Sequence, residues 1–177
     1  MGWMKDEVGL EKTQANFVPL TPLSHLQRAA KVFPTSTAVV YNNHRVNYAE
    51  YHARCSQLAS ALIDVGVKPG SVVATILPNV PAQAEAHFGV PACGAVLNTI
   101  NTRLDVDTVS YIFNHGEAEV VLVDTQFLPL AESACAKVDG NAPLIIEVPD
   151  PSAGFQSSGK YLSLIHISEP TRQPISS

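Results

Sequence analysis

The strongest constraint on this chain is a set of short, predominantly apolar runs separated by stretches with helical spacing. Val72 to Leu77 reads VVATIL, Ala95 to Leu97 follows, and Val120 to Val123 (VVLV) and Leu144 to Val148 (LIIEV) complete the set. A strand with one wet face alternates apolar and polar residues, so continuous runs of this length suit strands buried on both faces. Such strands need helices above and below them, and the intervening segments supply candidates. Val80 to Phe88 is Ala-rich and helical in propensity, with Gly89 and Pro91 expected to interrupt it. Asp105 or Asp107 can cap a helix through Val109 and Phe113 that Gly116 ends, and Phe127 to Val138 reads as the next helix. Strand and helix in alternation predict an α/β fold, with a doubly wound, mostly parallel sheet and flanking helices.

Ahead of this pattern the signals differ. Thr21-Pro22 starts a helix, because a Thr side chain caps free N–H groups and proline at the first helical position sacrifices no hydrogen bond. Leu23, Leu26, Ala30 and Phe33 recur at helical spacing behind it. Thr37 to Tyr41 and His44 to Val46 flank Asn42-Asn43, a pair that tolerates the positive φ of a tight hairpin. Asn47 with Glu50 forms a capping-box pattern, and Tyr51, Cys55, Leu58, Leu62 and Val65 trace one helical face up to Gly66. The sheet is therefore expected to be preceded by a helix and a small β-hairpin.

Charge and cysteine content narrow the function classes. A net charge of -5, with the charges scattered, offers no basic stripe for nucleic acid and no cationic amphipathic face for a membrane. Small molecules are the expected partners, with no nucleic acid, membrane or defined protein partner. Met1 to Lys12 has no apolar stretch of signal-peptide length, so a cytoplasmic setting is expected. Cys55, Cys93 and Cys135 are odd in number and spaced for neither a disulfide framework nor a zinc site, which leaves reduced structural thiols.

Motifs of chemistry are scarce. Gly154 to Lys160 (GFQSSGK) has the glycine and lysine spacing of a phosphate-binding loop. Its context disagrees, since Tyr161 stands where a Ser or Thr should reach magnesium and a polar linker precedes it in place of a strand. The six histidines, His25, His44, His52, His87, His115 and His166, show no i, i+4 pairing with an acidic partner, so neither a metal site nor a general base is indicated. Ser24 and Ser60 sit in helical patterns without a nucleophile elbow.

The end of the chain reads differently. Leu162 to Arg172, LSLIHISEPTR, matches the in-frame translation of a transposon-end sequencing adapter. Residues 162–177 are accordingly expected to be an artefactual tail, and residues 151–161 a loop. The competing reading is a genuine strand over Leu164 to Ile167 followed by a turn at Glu169-Pro170.

Resemblance supplies what the motifs do not. Pro78 to Leu104, PNVPAQAEAHFGVPACGAVLNTINTRL, strongly resembles the early core of AMP-forming acyl-CoA synthetases. It is most like the bacterial and plant acyl-activating enzymes that take short- to medium-chain carboxylates. Asn16 to Leu23, Tyr48 with Leu58 to Leu62, and Asn114 to Ala118 before Val120 to Asp124 add to the match. The resemblance implies that residues 1–150 are the N-terminal part of the large AMP-binding domain, truncated before the family's phosphate loop and catalytic lysine. It implies ATP, coenzyme A and magnesium for the intact parent, with none bound by the fragment, which would be inactive. No catalytic, cofactor-binding or metal residue is assigned; the strand end at Ala95 to Asn101 is expected at the carboxyl edge of the sheet, where ligands of open α/β folds bind. The alternative is a nonenzymatic α/β nucleotide-binding or interaction module using Gly154 to Lys160 as a degenerate phosphate loop.

Overall fold

A computed structural model describes residues 20–163 together with Thr13 and Phe17. Helix α1 (Pro22–Val32) opens as expected: Thr21 Oγ1 accepts from the Ser24 amide, and Ser24 Oγ accepts from the Thr21 amide in return. Strands β1 (Thr37–Tyr41) and β2 (His44–Asn47) form an antiparallel hairpin whose turn places Asn42 at φ 49°. Asn tolerates this left-handed conformation better than other residues with a Cβ. Asn47 and Glu50 close a reciprocal capping box at the start of α2 (Tyr48–Asp64).

The remaining elements alternate as β3 (Val72–Ile76), α3 (Pro81–Ala92), β4 (Val96–Thr99), α4 (Val106–His115), β5 (Ala118–Asp124), α5 (Leu128–Cys135) and β6 (Leu144–Val148), followed by β7 (Leu162–Ser163). They build a five-stranded sheet in the order β4-β3-β5-β6-β7, with every pairing parallel. Two hydrophobic layers lie on its faces. Leu58 and Leu62 of α2 and Ala86 and Val90 of α3 pack on Val73, Val120, Leu122 and Ile146. On the opposite face, Val109 and Phe113 of α4 and Ala131 and Ala134 of α5 cover Ala74, Ile76, Val121 and Val123. Each fully buried Leu or Phe contributes about 1.5–3 kcal/mol, so these layers drive the fold. The α/β, doubly wound arrangement is the expected one.

Two local expectations are corrected. Helix α3 continues through Gly89 and Pro91 to Ala92. Pro91 is its penultimate residue, where the missing N–H removes a single bond from the last turn. Gly89 is used for packing, because a Cβ there would lie 2.7 Å from Leu58 Cδ2 and 3.0 Å from the Cys55 carbonyl oxygen. The helix expected over Phe127 to Val138 is shorter: Thr125–Phe127 is a 3-10 turn capped by Asp124, and only Leu128–Cys135 is α-helical. Beyond Cys135, the Lys137 and Val138 amides bond three residues back, which tightens the chain out of the α-helix. Within 151–161, Pro151–Ala153 forms a further 3-10 turn. The strand considered over Leu164 to Ile167 lies outside the described residues.

Helices α2 and α3 are also joined by charge. Arg54 Nε and a terminal guanidinium nitrogen both donate to Glu85, which is 3% exposed. Such a bidentate pair fixes the relative rotation of two helices as well as their distance. Gly89→Ala forces Leu58 and the α2 backbone away from α3. Urea unfolding monitored by circular dichroism should show a loss of about 1–3 kcal/mol, the usual range for overpacking.

Candidate functional site

In an open parallel sheet the strands' carboxyl ends gather the loops that can hold ligands. Here that edge comprises the end of β3 with Pro78 and Asn79, the end of β4 with Ile100 and Asn101, and Asp124 at the end of β5. Strand β4 is one of the sheet's two edge strands, so the Ala95 to Asn101 region lies at its border. The central position belongs to β3 and β5. Their following helices lie on opposite faces, α3 on one and α5 on the other.

Polar groups collect near the carboxyl ends of β5 and β6, and motif reading identified none of them. Tyr41, the last residue of β1, donates its hydroxyl proton to Asp150 Oδ2 and so ties the hairpin to the chain just beyond β6. Asp150 Oδ1 also accepts from the Ser152 hydroxyl and from the Ser152 and Ala153 amides. Burial raises the Asp150 pKa, but the Ser152 and Tyr41 hydroxyls and the two amides outweigh it and hold the carboxyl below its ordinary range. Bonding to Asp150 raises the Tyr41 pKa, and burial adds to that. Asp124 is 0% exposed. Burial pushes its pKa up against the Gln126 amide, which donates to Oδ1, and the Asp150 charge raises it further.

The phosphate-loop lookalike is engaged with protein carboxylates. The Ser158 amide donates to Glu147 Oε1 at 2.7 Å, and the Ser158 and Ser157 hydroxyls donate to Oε2 at 2.9 and 3.1 Å. Thr125 Oγ1 completes the set at 2.8 Å from Oε1. Lys160 Nζ lies 2.9 Å from Glu132 Oε1. The groups that would cradle a phosphate thus hold a buried glutamate and a surface glutamate. This arrangement does not fit a nucleotide phosphate, nor do the described residues place three His, Cys, Asp or Glu side chains together for a metal ion.

The other candidates have local roles. His87 Nδ1 lies 2.7 Å from the Gln83 carbonyl oxygen, His115 stacks on Tyr111, and His25, His44 and His52 stand apart along α1, β2 and α2. His166 lies outside the described residues. Ser60 Oγ donates to the Ser56 carbonyl within α2, and Ser24 is committed to its cap. The described cysteines are free thiols. Burial pushes Cys55 up to about 12 and Cys135 up to about 11, which keeps both protonated and unreactive at neutral pH.

The AMP-binding enzyme family model matches residues 26–170. The chain belongs to this family. The acetate/butyrate–CoA ligase AAE7 of Arabidopsis thaliana is 42% identical over 165 residues, 90% of this chain and 29% of the relative. The acetate–CoA ligase CCL3 of Humulus lupulus is 42% identical over 154 residues, 84% of this chain and 27% of the relative. The chain therefore spans less than a third of the length of these curated relatives. Among solved structures, the N-terminal domain of FACL13 from Mycobacterium tuberculosis aligns with TM-score 0.64 and 26% identity over 72% of this chain and 33% of that one. The anthranilate CoA ligase AuaEII in complex with anthranoyl-AMP aligns with TM-score 0.77 over 89% of this chain and 30% of that one; at 24% identity it supports the fold alone.

In this AMP-binding enzyme chain, Glu147 yields a signed pH test. Burial raises its pKa, but the Ser158 amide and the Thr125, Ser158 and Ser157 hydroxyls reverse the shift and leave it below the ordinary glutamate value. A depressed folded pKa gives stability that is present above the unfolded value and lost as pH falls through the folded one. The urea midpoint should drop on acidification below about pH 4.3. Glu147→Gln should lower the unfolding free energy at pH 7 by about 1–3 kcal/mol, because it replaces an acceptor oxygen of a buried carboxylate with an amide NH2 that faces the Thr125, Ser157 and Ser158 donors, and should flatten the acid limb. Lys160→Ala, which breaks the solvent-exposed Glu132 pair and removes the ammonium from over the Tyr161 ring, should change stability by less than about 1 kcal/mol.

Proposed function

We propose that this chain is the N-terminal part of an ATP-dependent acyl-CoA ligase acting on short- to medium-chain fatty acids. The observation that carries this reading is the 42% identity to an acetate/butyrate–CoA ligase over 90% of the chain. Relatives named for acetate and butyrate support the short-chain assignment; others are named for trans-cinnamate and benzoate. The whole protein would convert a carboxylate and ATP to an acyl-adenylate and pyrophosphate, then transfer the acyl group to the thiol of coenzyme A with release of AMP. Adenylation gives the acyl carbon a good leaving group. Enzymatic acceleration of such a step rests on positioning and on charge stabilisation at the phosphates, with magnesium as the proposed counter-ion.

The described residues contribute a scaffold to this chemistry. Glu147 and Glu132 occupy the donors of the loop that most resembles a phosphate cradle. The part of the ligase that holds ATP is accordingly assigned to sequence beyond this chain, and residues 162–177 to the adapter. The pairing of Leu162–Ser163 with β6 does not bear on that assignment, since it uses backbone groups that almost any dipeptide presents. The reading places the protein in the cytoplasm. No described helix is long and apolar enough to cross a membrane, while the names of several relatives carry the word peroxisomal.

ATP–pyrophosphate exchange tests the assignment. The 177-residue chain should show no exchange above a no-enzyme blank with acetate or butyrate. The product of the gene extended past the Tyr161 codon should show exchange with butyrate. Exchange by the short chain, or an inactive extended protein that is folded, would overturn the reading. Independent clones carrying the same LSLIHISEPTR would remove the adapter assignment.

A further inference from the structure

The sheet changes winding direction between β3 and β5. From β3 the chain passes to α3 on one face, and from β5 to α5 on the other, so the carboxyl ends of two adjacent strands lead apart. In doubly wound sheets the crevice at such a point receives the ligand. Two buried polar side chains stand there on the same face. Thr75 of β3 pairs in register with Leu122 of β5, and Asp124 lies two residues beyond Leu122, hence on Leu122's side of the sheet. Thr75 is 1% exposed and Asp124 is 0% exposed. Thr75 Oγ1 and Asp124 Oδ2 have no hydrogen-bond partner among the described residues.

A buried hydroxyl and a buried carboxylate oxygen both without partners would cost more than a typical hydrogen bond contributes. Parallel strands stand about 4.8 Å apart and two residues rise about 6.6 Å, so Thr75 and Asp124 are roughly 8 Å apart at Cα, and side chains reaching toward each other from that distance leave room for one bridging molecule. The choice of molecule follows from the donor set. Magnesium and calcium take about six or more oxygens, and the described residues hold no cluster of that kind. An anion would meet Asp124, with Asp150 close enough to raise its pKa. Water requires only two to four polar partners and little more room than one probe sphere. Apolar neighbours wall the position: Leu122 pairs with Thr75, and Val148 pairs with Asp124.

We propose that Thr75 Oγ1 and Asp124 Oδ2 form a closed hydration site that holds one water molecule at the switch point of the sheet. The Thr75 hydroxyl donates to the water, and the water donates to the Asp124 carboxylate, so the carboxyl ends of the two central strands are pinned together. The crevice that the topology would open to a ligand is thereby filled from within.

Thr75→Val tests the site by the sign of its effect. Valine is nearly isosteric and removes only the hydroxyl. If Thr75 holds a bridging water, the variant leaves that water and Asp124 with one partner fewer, and the urea midpoint of the full 177-residue chain falls. If Thr75 Oγ1 is simply unsatisfied, valine relieves it, and an unchanged or raised midpoint overturns the proposal. Water-selective NOE spectroscopy or a high-resolution crystal structure of the unsubstituted chain gives a second reading. A long-lived water within hydrogen-bond distance of both oxygens is expected. An empty space, or a side-chain donor in that place, overturns the site even if the valine variant fails to fold.

Discussion

The parallel pairing of β3 with β5 is the interaction on which the other elements depend. These strands lie at the centre of the sheet, with β4 outside one and β6 outside the other. Val73, Ala74 and Ile76 on β3 and Val121, Leu122 and Val123 on β5 are all 0% exposed. Parallel strands cannot be joined by a tight turn, so pairing β3 with β5 requires the chain to travel through α3, β4 and α4 before returning. That excursion lays α3 on one face and α4 on the other. Both apolar layers are thus consequences of one long-range contact, and α2 and the hairpin add to a surface this contact creates.

The strands were legible because burial on both faces leaves an unmistakable apolar run, and α2 because its cap, its stripe and its terminating glycine agree. Helix α3 was misread at its end. Gly89 and Pro91 are breakers by local propensity, but the α2–α3 contact needs a residue without a Cβ at position 89, and a proline in the last turn costs little there. Helix α5 was overextended because Asp124 and Pro129 favour a 3-10 entry that periodicity does not reveal. Thr75, Asp124, Tyr41 and Glu147 belong to no spacing motif. The available signals were slight: a polar residue inside VVATIL, one inside LIIEV, and an aspartate closing VVLV. Their meaning depends on register across strands distant in sequence.

Gly154 to Lys160 shows how a motif and a site differ. Backbone amides and hydroxyls in a tight loop bind a carboxylate for the same reason they bind a phosphate, namely convergent donors and little competing water. In this chain the anion is supplied internally by Glu147, and the lysine finds Glu132. Family membership accordingly rests on the scaffold, which the family model matches over residues 26–170. The proposed ligase chemistry requires partners for this scaffold from the rest of the protein.

Native-state hydrogen exchange on the 177-residue chain tests the central claim most directly. If the β3–β5 pair organises the fold, the amides of Val73 to Ile76 and Val121 to Val123 exchange most slowly and only through global unfolding. The hairpin and β7 exchange faster by local opening. Slowest exchange in α2 or the hairpin, with β3 and β5 opening independently, would contradict the account.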